Sequence, residues 1–160
     1  MEGKQNQPRA LLVFGAPCSG KTTFANKFAK RFNIAFFDLE EFKTKNNLNQ
    51  KQILAVVEQL AKTKQDILIE GCINTEKERE EMRRILRPAG YQVSTIWIQT
   101  DVATIRTRLK AKYKTVAKAK EVFDTTVPTF EAPSEIETPI ILSGKHTFET
   151  QLRHILSALA

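Results

Sequence analysis

The segment Gly15-Ala16-Pro17-Cys18-Ser19-Gly20-Lys21-Thr22 constrains the fold of this chain more tightly than any other stretch. It meets the pattern G-x-x-x-x-G-K-[ST] at every required position. Residues 10–14, just before it, form an apolar run of strand length. After it, Phe24, Ala25, Phe28, Ala29 and Phe32 recur at helical spacing while Lys27, Lys30 and Arg31 face away. A glycine loop between a strand and a helix can turn its amides inward, because Gly15 and Gly20 carry no side chain to forbid the dihedrals or the close approach. The first turn of the helix adds unpaired N–H groups and the positive end of its dipole. Together they make a cradle for an anion.

The rest of the chain repeats the alternation. Residues 34–37, 67–69, 91–98 and 140–142 read as further strands, separated by segments of helical period. Asn49 caps a helix with Ile53, Leu54, Val57, Leu60 and Ala61 on its apolar stripe. Thr75 and Glu78 form a capping box before Met82, Ile85 and Leu86, and Pro88 with Gly90 stops that helix. Asp101 caps a basic helix that runs to about Tyr113 and resumes before Val122. Residues 124–139, with three prolines and no period, read as a loop, and Phe148, Leu152, Ile155, Leu156 and Leu159 mark a last helix. This pattern predicts one three-layer α/β/α domain over residues 1–160, with helices on both faces of a mostly parallel sheet. The polar opening residues and the absence of a long apolar run lead us to expect a cytoplasmic protein. Cys18 and Cys72 are expected to be reduced thiols.

The phosphate loop implies ATP or GTP as ligand and Mg²⁺ as its companion ion. Lys21 would reach the β and γ phosphates, the Thr22 hydroxyl would ligate Mg²⁺, and the loop amides through Thr23 would hold the phosphates. Asp38 and Glu70 are the first polar residues after apolar strands, and ligands of open α/β sheets bind at the carboxyl ends of the strands. Asp38 suits a general base that accepts a proton from an acceptor hydroxyl, and Glu70 suits the magnesium shell. Seven basic residues and no acid lie between Val102 and Lys120, a charge equal to the net excess of +7 over the whole chain. Such a run favours polyanions, whether nucleotide phosphates or nucleic acid, and it also describes a solvated helix face. No N-K-x-D signature follows the fourth strand, which disfavours a GTP switch. His146 and His154 lack metal-ligand spacing and read as surface residues, and Trp97 reads as core.

These motifs together resemble the small P-loop kinases. The resemblance rests on the loop, on Phe36-Phe37-Asp38-Leu39-Glu40, on Ile67-Leu68-Ile69-Glu70-Gly71, and on Trp97 to Asp101 leading into Arg106-Thr-Arg108-Leu-Lys-Ala-Lys112. It is nearest to the AAA-type ATP-binding proteins grouped with the kinase domain of polynucleotide kinase, with gluconate kinase and zeta toxin more distant. It implies a five-stranded sheet of order 2-3-1-4-5 and a lid over about residues 106–125. It also implies Asp38 as base and Arg106 or Arg108 as the arginine on the ATP phosphates. Where such kinases often carry R-L-x-x-R, this chain ends on Lys112, a point charge in place of a planar fork. The implied activity is transfer of the γ-phosphate of ATP to a hydroxyl of a nucleoside, nucleotide, small metabolite or polynucleotide 5′ end. A P-loop ATPase, a switch or a partner-binding module without an acceptor is the alternative.

Overall fold

The computed structural model describes residues 7–160; residues 1–6, part of the polar opening discussed above, lie outside it. Five strands form one sheet: β1 (Arg9–Phe14), β2 (Ala35–Asp38), β3 (Ile67–Glu70), β4 (Gln92–Gln99) and β5 (Ile140–Ser143). Their order is β2-β3-β1-β4-β5 and every pairing is parallel, as the resemblance implied. Parallel neighbours need crossovers, and the helices α1 (Lys21–Phe32), α2 (Leu39–Lys45), α3 (Gln50–Lys62), α4 (Glu76–Leu86), α5 (Val102–Lys112) and α6 (Val116–Thr126) supply them, while α7 (Phe148–Leu159) follows the last strand.

Side chains alternate across β1, so each face of the sheet has its own core. Leu12 and Phe14 pack with Ile53, Val57, Met82 and Leu86 on one side, and Leu11 and Val13 with Phe24, Phe28, Leu152 and Ile155 on the other. A third, smaller cluster joins Ile105, Leu109 and Ala119 of the α5–α6 hairpin and touches Ala16 and Cys18. The hairpin therefore rests on the phosphate loop.

The caps read from sequence are present at Asn49, Thr75 and Asp101, and Asn49 gains a full capping box through Gln52. Three details differ. Phe32 and Leu156, expected on buried stripes, are 40% and 44% exposed and line a surface cleft together with Phe28, Ile34 and Leu159. Trp97 is only half-buried against the first core. The stretch read as a loop begins only after α6, which extends to Thr126, and it contains two short 3-10 turns, Val127–Thr129 and Glu135–Glu137.

That last turn is held by an ion cluster. Arg79 is fully buried, donates to both carboxylate oxygens of Glu137 at 2.8 and 3.0 Å and to the carbonyls of Ile73, Asn74 and Glu131, and lies 4.4 Å from the Phe14 ring centre. Arg83 adds a 2.7 Å bond to the same carboxylate. Burial pushes the Glu137 carboxyl up, but the two arginines more than reverse this and hold it at about 2. Removing one partner of such a cluster costs about 3–5 kcal/mol, because it leaves a buried charge unpaired.

Candidate active site

The loop between β1 and α1 closes at the carboxyl edge of the sheet. Gly15 is buried so tightly that a Cβ there would lie 2.5 Å from the Ile98 carbonyl oxygen, and Gly20 adopts φ +95°, which a side chain would strain. Cys18 also takes a left-handed φ, of 58°. Ser19 is fully buried, and its hydroxyl has no hydrogen-bond partner among the described residues. A cavity of about 720 Å³ opens over the loop, lined among others by Pro17, Cys18, Gly20, Lys21, Thr22, Thr23, Lys27, Arg108, Lys112 and His146. His146, read as a surface residue, is exposed and stands at the rim of this cavity.

Lys21 stands at the start of α1, its ammonium 3.4 Å from the Ala16 carbonyl oxygen. Burial lowers its pKa below 10.5, opposed most by the Glu70 charge and then by Cys18, Asp38 and Glu40. Glu70, only 4% exposed, accepts a 2.5 Å hydrogen bond from the Thr22 hydroxyl. Burial raises its carboxyl above the ordinary value, against the opposing pull of the Thr22 bond and Lys21. Its other oxygen, Oε2, is buried without a partner among the described residues. Hydroxyl and carboxylate thus meet as a pair of hard oxygen donors with capacity to spare. That donor set fits Mg²⁺, which is bound through few protein oxygens and keeps most of its water.

Asp38 ends β2 and caps α2, its Oδ1 accepting from the Glu41 amide at 3.0 Å. It borders a second cavity of about 610 Å³, between α1, α2, α3 and the edge strand β2. Thr22 borders both cavities. Glu40 and Glu41 are exposed helix residues. The structure therefore gathers Lys21, Thr22, Asp38 and Glu70 at one edge of the sheet.

The two arginines separate. Arg108 bridges the site, donating to the Cys18 carbonyl at 3.0 Å and the Gly144 carbonyl at 2.7 Å. Arg106 lies 3.9 Å over the Phe123 ring and does not line the cavity. Lys112 does line it. In the basic run, Lys118 pairs with Glu121 and Lys120 with Asp124, so two of the seven charges are answered within α6. Sequence reading missed Gly144, where a Cβ would collide with Thr100 and the Ser19 carbonyl; a lone glycine after a strand was its only signal.

Residues 11–133 match the family model described as an AAA domain. The chain belongs to this AAA domain family. No curated protein matches the chain. Among solved structures, this AAA domain is similar to a sugar kinase from Janibacter sp. HTCC2649, with 18% identity, 95% of this chain and 94% of that one covered, and a TM-score of 0.73. It is similar to a gluconokinase from Sinorhizobium meliloti 1021, with 16% identity, 96% and 92% covered, and a TM-score of 0.71. A third is the Mycobacterium tuberculosis APS kinase in complex with AMPPNP and APS, with 16% identity, 96% and 98% covered, and a TM-score of 0.70. At these identities the likeness establishes a shared small-kinase fold. Among the described residues no helix is long and apolar enough to cross a membrane, and both cysteines are free.

Proposed function

We propose that this AAA domain is an ATP-dependent phosphotransferase that moves the γ-phosphate to a hydroxyl acceptor, with residues 106–125 as its lid. One observation carries the reading: Thr22, which donates to Glu70, lines both the cavity that holds Lys21 and the groove that holds Asp38. A P-loop ATPase needs only the first cavity. The similar folds are kinases, one of them in complex with AMPPNP, which supports ATP as donor. The free thiols fit a cytoplasmic setting.

In this mechanism the free N–H groups of the loop and the start of α1, within residues 15–23, hold the triphosphate, and Lys21 stabilises charge on the β and γ phosphates. Thr22 and Glu70 would hold Mg²⁺, which when bound neutralises phosphate charge. Asp38 orients the acceptor hydroxyl and takes its proton. Its cap to Glu41 engages one oxygen and fixes the carboxylate, leaving the other for the substrate. Arg108 fixes the loop through Cys18 and approaches the phosphates when the lid closes, while Arg106 steadies the lid through Phe123. The internal pairing of Lys118 and Lys120 weakens the case for a polynucleotide acceptor drawn by the basic run.

The test uses γ-labelled ATP with Mg²⁺. Saturating nucleotide at one hundred times its Kd should stabilise the fold by about 2.7 kcal/mol. A labelled acceptor product then identifies a kinase. Free phosphate alone, unchanged by any acceptor, would make the protein an ATPase.

A further inference from the structure

Charge and polarity divide sharply between the two cavities. The loop cavity carries Lys21, Lys27, Arg108 and Lys112. The groove beside Asp38 is walled by Phe36, Phe37, Leu39, Phe42, Val56 and Leu60. Its charged residues are Asp38, Glu41 and Lys45, and the Lys45 ammonium sits 2.5 Å from Glu41. That pair cancels, so the groove keeps the negative charge of Asp38, with Glu40 and Glu70 close enough to act on Lys21 nearby. Arginine does not line it. Phe42, part of its wall, is 41% exposed, which leaves ring surface for a bound molecule to cover. The volume, about 610 Å³, lies within the range of small-molecule sites, and an apolar lining with few polar groups is their usual composition.

We propose that the phosphoryl acceptor is an uncharged hydroxyl compound with an aromatic or otherwise apolar body, seated against Phe42 and Leu60 with its hydroxyl at Asp38. This rests on the phosphotransferase reading and gives it a substrate class. An anionic acceptor, such as a sugar acid or a phosphorylated nucleoside, would bring its charge beside Asp38 without a free cation lining the groove to meet it. In the transfer the acceptor oxygen forms the new bond to the γ-phosphorus, and the bond from that phosphorus to the β–γ bridging oxygen breaks. The hydroxyl proton goes to Asp38, and ADP leaves.

The experiment compares matched acceptors with γ-labelled Mg-ATP: a ribonucleoside against its 3′-monophosphate, and phenyl β-glucoside against gluconate. The uncharged member of at least one pair should have kcat/KM tenfold or more above its anionic partner. Phe42→Asp should raise the KM for that acceptor about 10- to 100-fold, the value of one buried aromatic, with the KM for ATP unchanged. Equal or reversed preference within both pairs overturns the acceptor class while leaving a kinase in place. So does absence of product from all four in a protein that a thermal shift shows to bind Mg-ATP. Failure to bind Mg-ATP is a different result, and it sinks the phosphotransferase reading itself. If Phe42→Asp unfolds the chain, Leu60→Asp at the other end of the groove gives the same comparison.

Discussion

The two cavities that share Thr22 are built by opposite means. The loop cavity is made of main chain and cations: a loop whose tight course needs Gly15 and Gly20, Lys21 at a helix start, and Arg108 reaching across from α5. The groove at Asp38 is made of apolar side chains from α2, α3 and the edge strand β2, with one carboxylate fixed by a cap. The first selects charge, and its geometry is dictated by a local motif. The second selects shape and apolar surface, and no local motif specifies it. On the proposed reading, a donor side set by a contiguous motif thus stands beside an acceptor side set by packing.

The largest expected effect divides these functions. Asp38→Asn keeps the cap to Glu41, since an amide oxygen also accepts, but cannot take the hydroxyl proton. Phosphoryl transfer should fall about 10²- to 10⁴-fold, with the Kd for Mg-ATP unchanged. A variant that turns over normally would move the base out of the groove and break the comparison. On the other side, Lys21→Ala should lower transfer about 10²- to 10³-fold, the typical cost of one lost charge-stabilising donor. It should also erase the stabilisation of the fold by Mg-ATP in a thermal melt. Unchanged nucleotide binding there would remove the loop cavity as the donor site.

What could be read in advance follows the same division. The loop and the meeting of Asp38 with Glu70 were legible, because a contiguous motif and apolar strand ends fix them, and the strand order followed from the family resemblance. The caps at Asn49, Thr75 and Asp101 were legible for the same local reason. Arg79 and Arg83 were not. They fall at helical spacing with Met82 and Leu86, on the face that packs against the sheet, yet a buried arginine looks like a surface one until Glu137, more than fifty residues later, is seen to answer it. The split between Arg106 and Arg108 was equally hidden. Two residues apart on α5, they point to different neighbours, Phe123 and the phosphate loop, and only the packing of α6 decides which. Phe36 and Phe37 looked like strand residues; the groove appears once Phe42 of α2 and Val56 and Leu60 of α3 lie against the sheet edge.

A smaller effect is expected at the oxygen pair shared by Thr22 and Glu70. Glu70→Gln retains an acceptor for the Thr22 hydroxyl but loses the negative charge. The affinity for Mg²⁺ in the presence of ATP should fall about 10- to 100-fold, while ATP binding without metal should change little. Equal loss with and without Mg²⁺ would assign Glu70 to holding the loop.

The smallest effect is one of pH, and it bears on the nucleotide side alone. Burial lowers Lys21 below 10.5, so its ammonium is lost earlier on the alkaline side than that of an exposed lysine. The charged form binds phosphate, and affinity for Mg-ATP should therefore decline severalfold as pH rises while still below 10.5. Burial raises Glu70 above 4.5, so on the acid side its carboxylate is protonated sooner than an ordinary glutamate, and Mg²⁺-dependent affinity should decline as pH falls while still above that value. The expected profile is a bell narrower than free lysine and glutamate would give. Lys21→Arg, which stays charged throughout, should flatten only the alkaline limb. An alkaline limb that persists in Lys21→Arg would mean that another group governs it, and that Lys21 does not carry the charge on which the donor cavity depends.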